Sequence, residues 1–539
     1  MKLAALRRLG GIFVLEERKR RRRIFTITAV LLLLGNILLF LTIWLLQKYD
    51  HVYFDQLLYQ LKAPAEGAQG SLVSSAAVRV GVFAVGLTLA EVILCPVTAR
   101  KLRRRCAGKH HRISGGIAKV SRFFMRRALP LALSVFILCL SVFIRKFDVL
   151  AYVDTVSTES DFIEEHYADP EATPIRFPEK KRNLIYIFLE SMENTFADVS
   201  AGGSITDDFI SELSSLAEEN VNFSHTSGIG GAYSYSGATW TASAMVAQTS
   251  GLIVKVPLAA DAYGAENGYM PGVVSIGELL KAQGYRQTLL VGSDAEFHGR
   301  EPYFMQHGSY EIVDINSLKE EGRLPEDYDE WWGFEDEKLF AFAKEELTEL
   351  AESGEPFNLT MLTADTHFPD GYECRLCGHT YEEQYANVLA CSAKQVAKFV
   401  AWVQEQPFYD NTTIVISGDH LTMDPLFLED IDQNYVRTTY NCIINAPVTP
   451  VQEKGREFAA FDMFPTTLAA LGAEITDDRL GLGTNLFSAE KTLTEQYGYA
   501  VLDEELQKNS AFYNEQFLDM EEPLETLLPE SMRFAKEED

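Results

Sequence analysis

The sequence predicts an α/β domain carried on transmembrane helices. Three observations predict it. Two β-branched apolar runs, residues 183–189 and 412–418, lead directly into Glu190 and into Asp419-His420. Strand-like and helix-like patterns alternate from Arg182 to residue 488, as in a mainly parallel sheet flanked by helices. Three long apolar segments crowd the first 147 residues.

The membrane part comes first in the chain. Residues 24–46 exceed the ~20 residues a helix needs to cross a bilayer. Residues 78–97 and 128–144 are shorter segments of the same kind. Nine Lys+Arg precede Ile24 and eleven lie in the connection 98–127, whereas the connection 47–77 carries only Lys48 and Lys62. The excess of basic residues puts the N-terminus and the second connection in the cytoplasm and everything after about residue 147 outside. The first apolar run starts late and has no small-residue cleavage pattern after it, so it reads as a span and not as a cleaved signal.

Charge divides the same way. Residues 1–127 hold 23 Lys+Arg against 6 Asp+Glu, a net of +17, and the remainder carries a net of −46. So acidic an outer part excludes nucleic acid as a partner, because phosphates need a basic surface. It also makes a metal useful for any phosphate-bearing substrate, which bare carboxylates would repel.

Residues 148–181, mixed and acidic with Pro170, Pro174 and Pro178, read as a linker or a membrane-proximal helix pair. The domain expected at 182–488 has strands at 183–189, 286–292, 357–363 and 412–417, and helices at 207–219, 275–283, 336–352 and 382–406. Residues 489–539 are acidic and helical in pattern, a C-terminal cap without visible chemistry. Parallel α/β sheets place their sites at the carboxyl ends of strands. Glu190, Asp419 and His420 would therefore meet at one point, a mixed O/N set that suits Mn2+ or Zn2+. Cys374-Arg-Leu-Cys377 has the spacing of half a zinc site, but no second pair exists, and outside the cell a disulfide is expected instead. The spacing leaves the pairing among Cys374, Cys377 and Cys391 open, and Cys442, in an apolar run, is expected to be a buried thiol.

With these residues assembled, residues 182–488 resemble the alkaline-phosphatase/sulfatase superfamily, and within it the membrane-bound lipoteichoic acid synthase and phosphoglycerol transferase branch. Leu189-Glu190-Ser191 and Ser417-Gly418-Asp419-His420 match its two metal-ligand motifs. Thr366-His367-Phe368-Pro369 matches a motif that supplies a substrate-facing histidine. Asp462-Met463-Phe464-Pro465-Thr466-Thr467 and Leu480-Gly481-Leu482-Gly483-Thr484-Asn485-Leu486 match its C-terminal signature.

The resemblance implies a metal-bound threonine nucleophile within Ser236–Gly251. The family's spacing from a second hydroxyl residue lands on Ala238, so the chain departs from the pattern by at least one residue. The expected nucleophile, and fourth metal ligand, is Thr239, with Thr241 as the alternative. His367 and His298 are expected to face substrate phosphate, with Arg300 and His307 as weaker candidates in the same loop. One divalent ion is implied, Mn2+ before Zn2+ or Mg2+. The implied reaction takes glycerol phosphate from phosphatidylglycerol, through a phospho-threonine, to an acceptor glycan or polyglycerol phosphate chain. The implied place is the plasma membrane, with several spans and the catalytic domain on the extracytoplasmic face. A phosphoethanolamine transferase or sulfatase-like hydrolase of the same superfamily is the enzymatic alternative, although no Cys-x-Pro-x-Arg nucleophile sequence is present. An inactive scaffold or glycan-binding domain is the non-enzymatic one, which the Ala238 departure favours and the intact ligand set opposes.

Overall fold

The structure is a computed structural model that describes residues 2–49, 52, 54–62, 70–94, 127–256, 268–328, 330–424, 427–429, 431–432 and 434–518. The basic connection up to residue 126, with Cys95 and Cys106, lies outside the described residues, as does the chain after residue 518. Two compact units emerge, one of Met1–Val52 with Gly70–Leu150 and the other of Tyr53–Gln69 with Ala151–Asp539.

The first unit is helical. Arg22–Lys48, Val73–Val92 and Ala128–Lys146 are long and apolar enough to cross a membrane. Their Leu, Val and Ile side chains are largely exposed, as lipid-facing residues are. Polar contacts join them inside: Asn36 Nδ2 donates to Thr88 Oγ1 at 3.0 Å and to Glu91 Oε2 at 3.1 Å. Such pairs satisfy groups that hydrocarbon cannot.

The second unit is built on a six-stranded sheet of order β4-β3-β5-β2-β6-β7. The strands are β2 (Asn183–Leu189), β3 (Arg286–Val291), β4 (Glu311–Val313), β5 (Phe357–Leu362), β6 (Thr412–Gly418) and β7 (Asn441–Ile444). All neighbours are parallel except β6 and β7. Every residue of β2 is buried, as expected of a central strand covered on both faces. Leu184, Tyr186 and Phe188 point into one core, and Ile185, Ile187 and Leu189 into the other. The four strands expected from sequence are present to within a residue. The short edge strands β4 and β7 carry too little pattern to stand out, and Cys442 lies buried on β7.

Segments flanking the sheet belong to the same body. The stretch after residue 148 forms helices Val149–Ser157 and Phe162–His166, and β1 (Ile175–Arg176) pairs antiparallel with β8 (Glu474–Ile475). Leu493, Leu502, Leu506, Tyr513 and Phe517, from the helices that follow residue 488, enter the core that holds Tyr186. The Asp462 carboxylate accepts from the backbone amides of Ala459 at 2.8 Å and Thr484 at 2.7 Å. The two halves of the C-terminal signature are thus clasped together.

One element comes from far upstream. The helix Phe54–Lys62 lies between the first two spans in sequence, yet it belongs to the second unit. Tyr59 is fully buried there, with its hydroxyl 2.8 Å from that of Tyr269 and donating to the His298 carbonyl at 2.6 Å.

Ile187→Ala empties space in the middle of the central strand. It should destabilise the protein by roughly 2–5 kcal/mol, read as a lowered denaturant midpoint of the detergent-purified protein; an unchanged midpoint would contradict the two-faced burial of β2.

Candidate functional site

Strands β2 and β6 run parallel, with Leu189 beside Gly418. The next residues, Glu190 and Asp419, therefore leave the sheet side by side, and His420 follows. One ligand atom from each of Glu190, Asp419 and His420 lies within 4.8 Å of the others, and all three residues are buried. The backbone locks this corner. Ser191, at φ +52°, donates its amide to Asp419 Oδ1 at 2.8 Å and its hydroxyl to Glu190 Oε1 at 2.7 Å. The Glu190 amide is held by Thr363 Oγ1 at 3.0 Å and its carbonyl by Thr366 Oγ1 at 2.5 Å. Gly418 is required by close approach, since a Cβ there would stand 2.0 Å from the Met192 carbonyl oxygen.

The polar atoms of this corner fit a divalent cation. Asp419 Oδ2 is buried without a hydrogen-bond partner. His420 Nδ1 meets the Leu421 carbonyl at 2.8 Å, which fixes the proton on Nδ1 of the neutral ring and leaves the Nε2 lone pair facing Glu190 Oε1 at 3.4 Å and Asp419 Oδ2 at 3.5 Å. Burial pushes Asp419 up to about 8, with Glu190 adding to the rise. Burial opposes a charged imidazole at His420, but Asp419 and Glu190 overcome it and lift the ring to about 10. Burial also works against the charged form of Glu190, yet His420 and His367 hold it down to about 2. Two buried carboxylates thus compete for one positive charge, and a metal ion supplies two.

A hydroxyl meets the same point. The helix Thr241–Ser250 begins where Trp240 is still extended, at φ −140° and ψ 158°. Thr241 Oγ1, in the first turn, donates to Glu190 Oε2 at 3.2 Å and lies 3.4 Å from His420 Nε2. Thr239 stands before the helix, and its hydroxyl accepts from Gln56 Nε2 at 2.6 Å. The structure thus brings Glu190, Asp419, His420 and Thr241 together, and turns Thr239 toward the inter-span helix.

Histidines border this cluster unequally. His367 Nδ1 lies 2.8 Å from the Phe368 carbonyl, and its ring centre is 4.5 Å from that of Trp332. Burial lowers its pKa, so the ring is neutral with its lone pair on Nε2; Glu190 and His420 are within electrostatic range. His298 Nε2 is buried without a partner, and burial, helped by Arg300, lowers its pKa to about 3. The buried Arg300 guanidinium is tied to its own loop through Ser293 Oγ at 2.9 Å and the Asp294 carbonyl at 2.7 Å, with Glu190 in electrostatic range. His307 is engaged elsewhere. Its Nδ1 faces Glu278 at 3.3 Å and its Nε2 the Tyr269 carbonyl at 2.8 Å, a pairing that fastens two segments and leaves neither nitrogen for substrate. This corrects the expectation for His307.

Gln56, Tyr59 and Trp240 were not legible as site residues. Tyr59 packs on Trp240, with ring centres 4.9 Å apart, and the Asp55 carboxylate accepts from the Gly237 amide. The inter-span helix therefore covers the loop that leads into Thr241. Phe54, Leu57 and Leu58 carry the i, i+3, i+4 spacing of an amphipathic helix, the one signal available in sequence.

Comparisons with known proteins bear on this geometry. A family model described as Sulfatase matches residues 182–473. Phosphoglycerol transferase I of Escherichia coli O127:H6 is 29% identical over 331 residues, covering 60% of this chain and 41% of that protein. Its namesake from Escherichia fergusonii is 30% identical over 346 residues, covering 63% and 42%. The matches thus span about two fifths of the length of these relatives. Among solved structures, a protein of the alkaline phosphatase superfamily from Vibrio parahaemolyticus aligns at 20% identity and a TM-score of 0.47, over 62% of this chain and 79% of that one. The lipoteichoic acid synthase LtaP from Listeria monocytogenes aligns at 17% and 0.43, over 61% and 81%.

Two expectations follow from the ligand corner. Protons and metal compete for Asp419 and His420, whose pKa values are raised, so metal affinity should rise with pH and be at least about tenfold weaker at pH 6 than at pH 8. Calorimetric titration with Mn2+ in buffers of different ionisation enthalpy should also detect proton release; a flat affinity with no release would contradict the assignment. Gly418→Ala should weaken Mn2+ binding by more than about tenfold with the circular dichroism spectrum kept, because its Cβ displaces the backbone that carries Asp419 and His420.

Proposed function

The chain belongs to the sulfatase family, and from that premise we propose that it is a membrane-anchored, divalent-metal-dependent phosphotransferase with Thr241 as its nucleophile. The proposed donor is phosphatidylglycerol, and the proposed acceptor is a hydroxyl of an envelope glycan or of a polyglycerol phosphate chain. The observation that carries the reading is the Thr241 hydroxyl, which reaches Glu190 Oε2 at 3.2 Å and His420 Nε2 at 3.4 Å from the first turn of a helix. A hydroxyl beside two carboxylates and an imidazole, at the positive end of a helix, is arranged for nucleophilic attack. This favours Thr241 over Thr239, whose hydroxyl is occupied by Gln56. The relatives named phosphoglycerol transferase I support the donor class.

In this reading Glu190, Asp419, His420 and Thr241 hold the ion. A bound divalent ion would lower the pKa of the threonine hydroxyl and offset charge on phosphate oxygens. Glu190 Oε2 polarises the Thr241 O–H bond. The threonine oxygen replaces the diacylglycerol oxygen on phosphorus, and diacylglycerol departs as the alcohol with the proton the threonine gave up. The bare Nε2 of His367 can accept the proton of the incoming acceptor hydroxyl, whose oxygen replaces the threonine on phosphorus, and the same proton passes to the departing threonine oxygen and restores its hydroxyl. The neutral His298 ring, with an unpartnered nitrogen, lies in the loop assigned to the phosphate oxygens.

Topology supports a lipid donor. The helix Phe54–Lys62 and the sheet belong to one folded body, although the spans Val73–Val92 and Ala128–Lys146 separate them in sequence. In this reading two crossings return the chain to the same side, and the basic connection 98–127 supports an extracytoplasmic face for it.

Incubation of the full-length protein with phosphatidylglycerol and Mn2+, followed by peptide mass spectrometry, tests the reading. A phosphoglycerol adduct is expected on Thr241, lost in Thr241→Ala and retained in Thr239→Ala. An adduct that survives Thr241→Ala and vanishes in Thr239→Ala would move the nucleophile. A phosphoethanolamine adduct, formed only with phosphatidylethanolamine, would replace the donor. No adduct with either lipid would remove the transferase reading.

A further inference from the structure

We propose that Cys374, Cys377 and Cys391 form a second metal site, structural in role, that binds Zn2+ and fastens the His367 loop to the helix Gln384–Gln404. Cys374 Sγ lies 3.7 Å from Cys377 Sγ and 3.7 Å from Cys391 Sγ, and all three sulfurs fall within 4.8 Å of one another. Two equal separations from Cys374 favour neither pairing over the other. A tetrahedral zinc ion with Zn–S bonds of about 2.3 Å sets its sulfurs about 3.8 Å apart and serves all three at once.

The backbone around Cys374 is shaped for a thiolate. Cys377 N–H donates to the Cys374 carbonyl at 3.0 Å, closing a tight turn, and the amides of Leu376 and Cys377 face Cys374 Sγ. Gln395, one helical turn beyond Cys391, brings Nε2 to 3.6 Å from Cys391 Sγ and 3.9 Å from Cys374 Sγ. Such outer donors orient thiolate ligands. The surroundings call for positive charge. Asp336 and Asp365 are both within electrostatic range of Cys374, and each has a buried Oδ2 without a hydrogen-bond partner. Three sulfurs leave one position for a closed site.

The place of the cluster gives it a purpose. Asp365, Thr366 and His367 open the loop that Cys374 and Cys377 close. The loop is already held to the helix by Tyr385, whose hydroxyl donates to the Thr366 carbonyl at 2.8 Å, and by Gln384, which donates to the Gly371 carbonyl at 3.1 Å. A zinc ion on Cys391 and the two loop cysteines would fix the far end. The site does not depend on the transferase reading.

The test uses the full-length protein, extracted from membranes in detergent without added reductant or chelator. Elemental analysis should find one zinc fewer per chain in Cys391→Ser than in the wild type, with the Asp419-dependent metal kept. Cobalt(II) should give the near-ultraviolet thiolate-to-cobalt absorption in the wild type and not in Cys391→Ser. If Cys391→Ser does not fold, the wild type alone decides. Denatured with chelator and without reductant, all seven of its cysteines should be alkylated. Two cysteines that resist until a reductant is added, or equal zinc in wild type and Cys391→Ser, would overturn the proposal.

Discussion

The parallel register that sets Leu189 beside Gly418 carries the rest of the site with it. Parallel strands release their next residues on the same edge, so Glu190 and Asp419 emerge as neighbours without any loop to position them. Two carboxylates buried that closely repel each other, and a shared cation would relieve the repulsion. His420, drawn in between them, and the Thr241 hydroxyl complete the group. The surrounding hydrogen bonds, from Ser191, Thr363 and Thr366, hold the backbone of this corner, so that its side chains stay free for chemistry.

Around that corner, burial sorts the remaining polar groups. His298 and His367 are kept neutral by desolvation, and each retains a nitrogen that nothing in the fold has claimed or that a backbone carbonyl leaves bare. His307, fully engaged by Glu278 and the Tyr269 carbonyl, is a fastener of the same residue type. The distinction is made by partners and not by proximity in sequence, since His298 and His307 lie only nine positions apart. Arg300 occupies an intermediate state: its charge reaches Glu190, but its Nε and Nη2 donors are spent on its own loop.

The helix Phe54–Lys62 gives the sheet-bearing unit a component from between two candidate spans. Gln56 on Thr239, Tyr59 on Trp240 and the His298 carbonyl, and Asp55 on the Gly237 amide all touch segments that border the corner of Glu190, Asp419 and His420. A segment that lies between two candidate spans in sequence therefore packs against the segment that leads into Thr241.

By itself the sequence determined the elements that are local. The β-branched runs of β2, β3, β5 and β6 announced strands, the residues at their carboxyl ends announced Glu190, Asp419 and His420, and apolar length announced the three helices long enough to cross a membrane, because each of these signals lies within a few tens of residues. The tertiary structure alone decided what depends on contacts across long separations. Thr241, and not Thr239, meets Glu190 and His420 because Trp240 stays extended and the helix starts at Thr241, two residues after Thr239, a boundary that packing against Tyr59 and the Gln56 contact helps to fix. The same holds for the inter-span helix, for the pairing that removes His307 from the site, and for the convergence of Cys391 with Cys374 and Cys377. In each case the deciding partner lies far along the chain or beyond a turn, where side-chain pattern carries no information about which surfaces will meet.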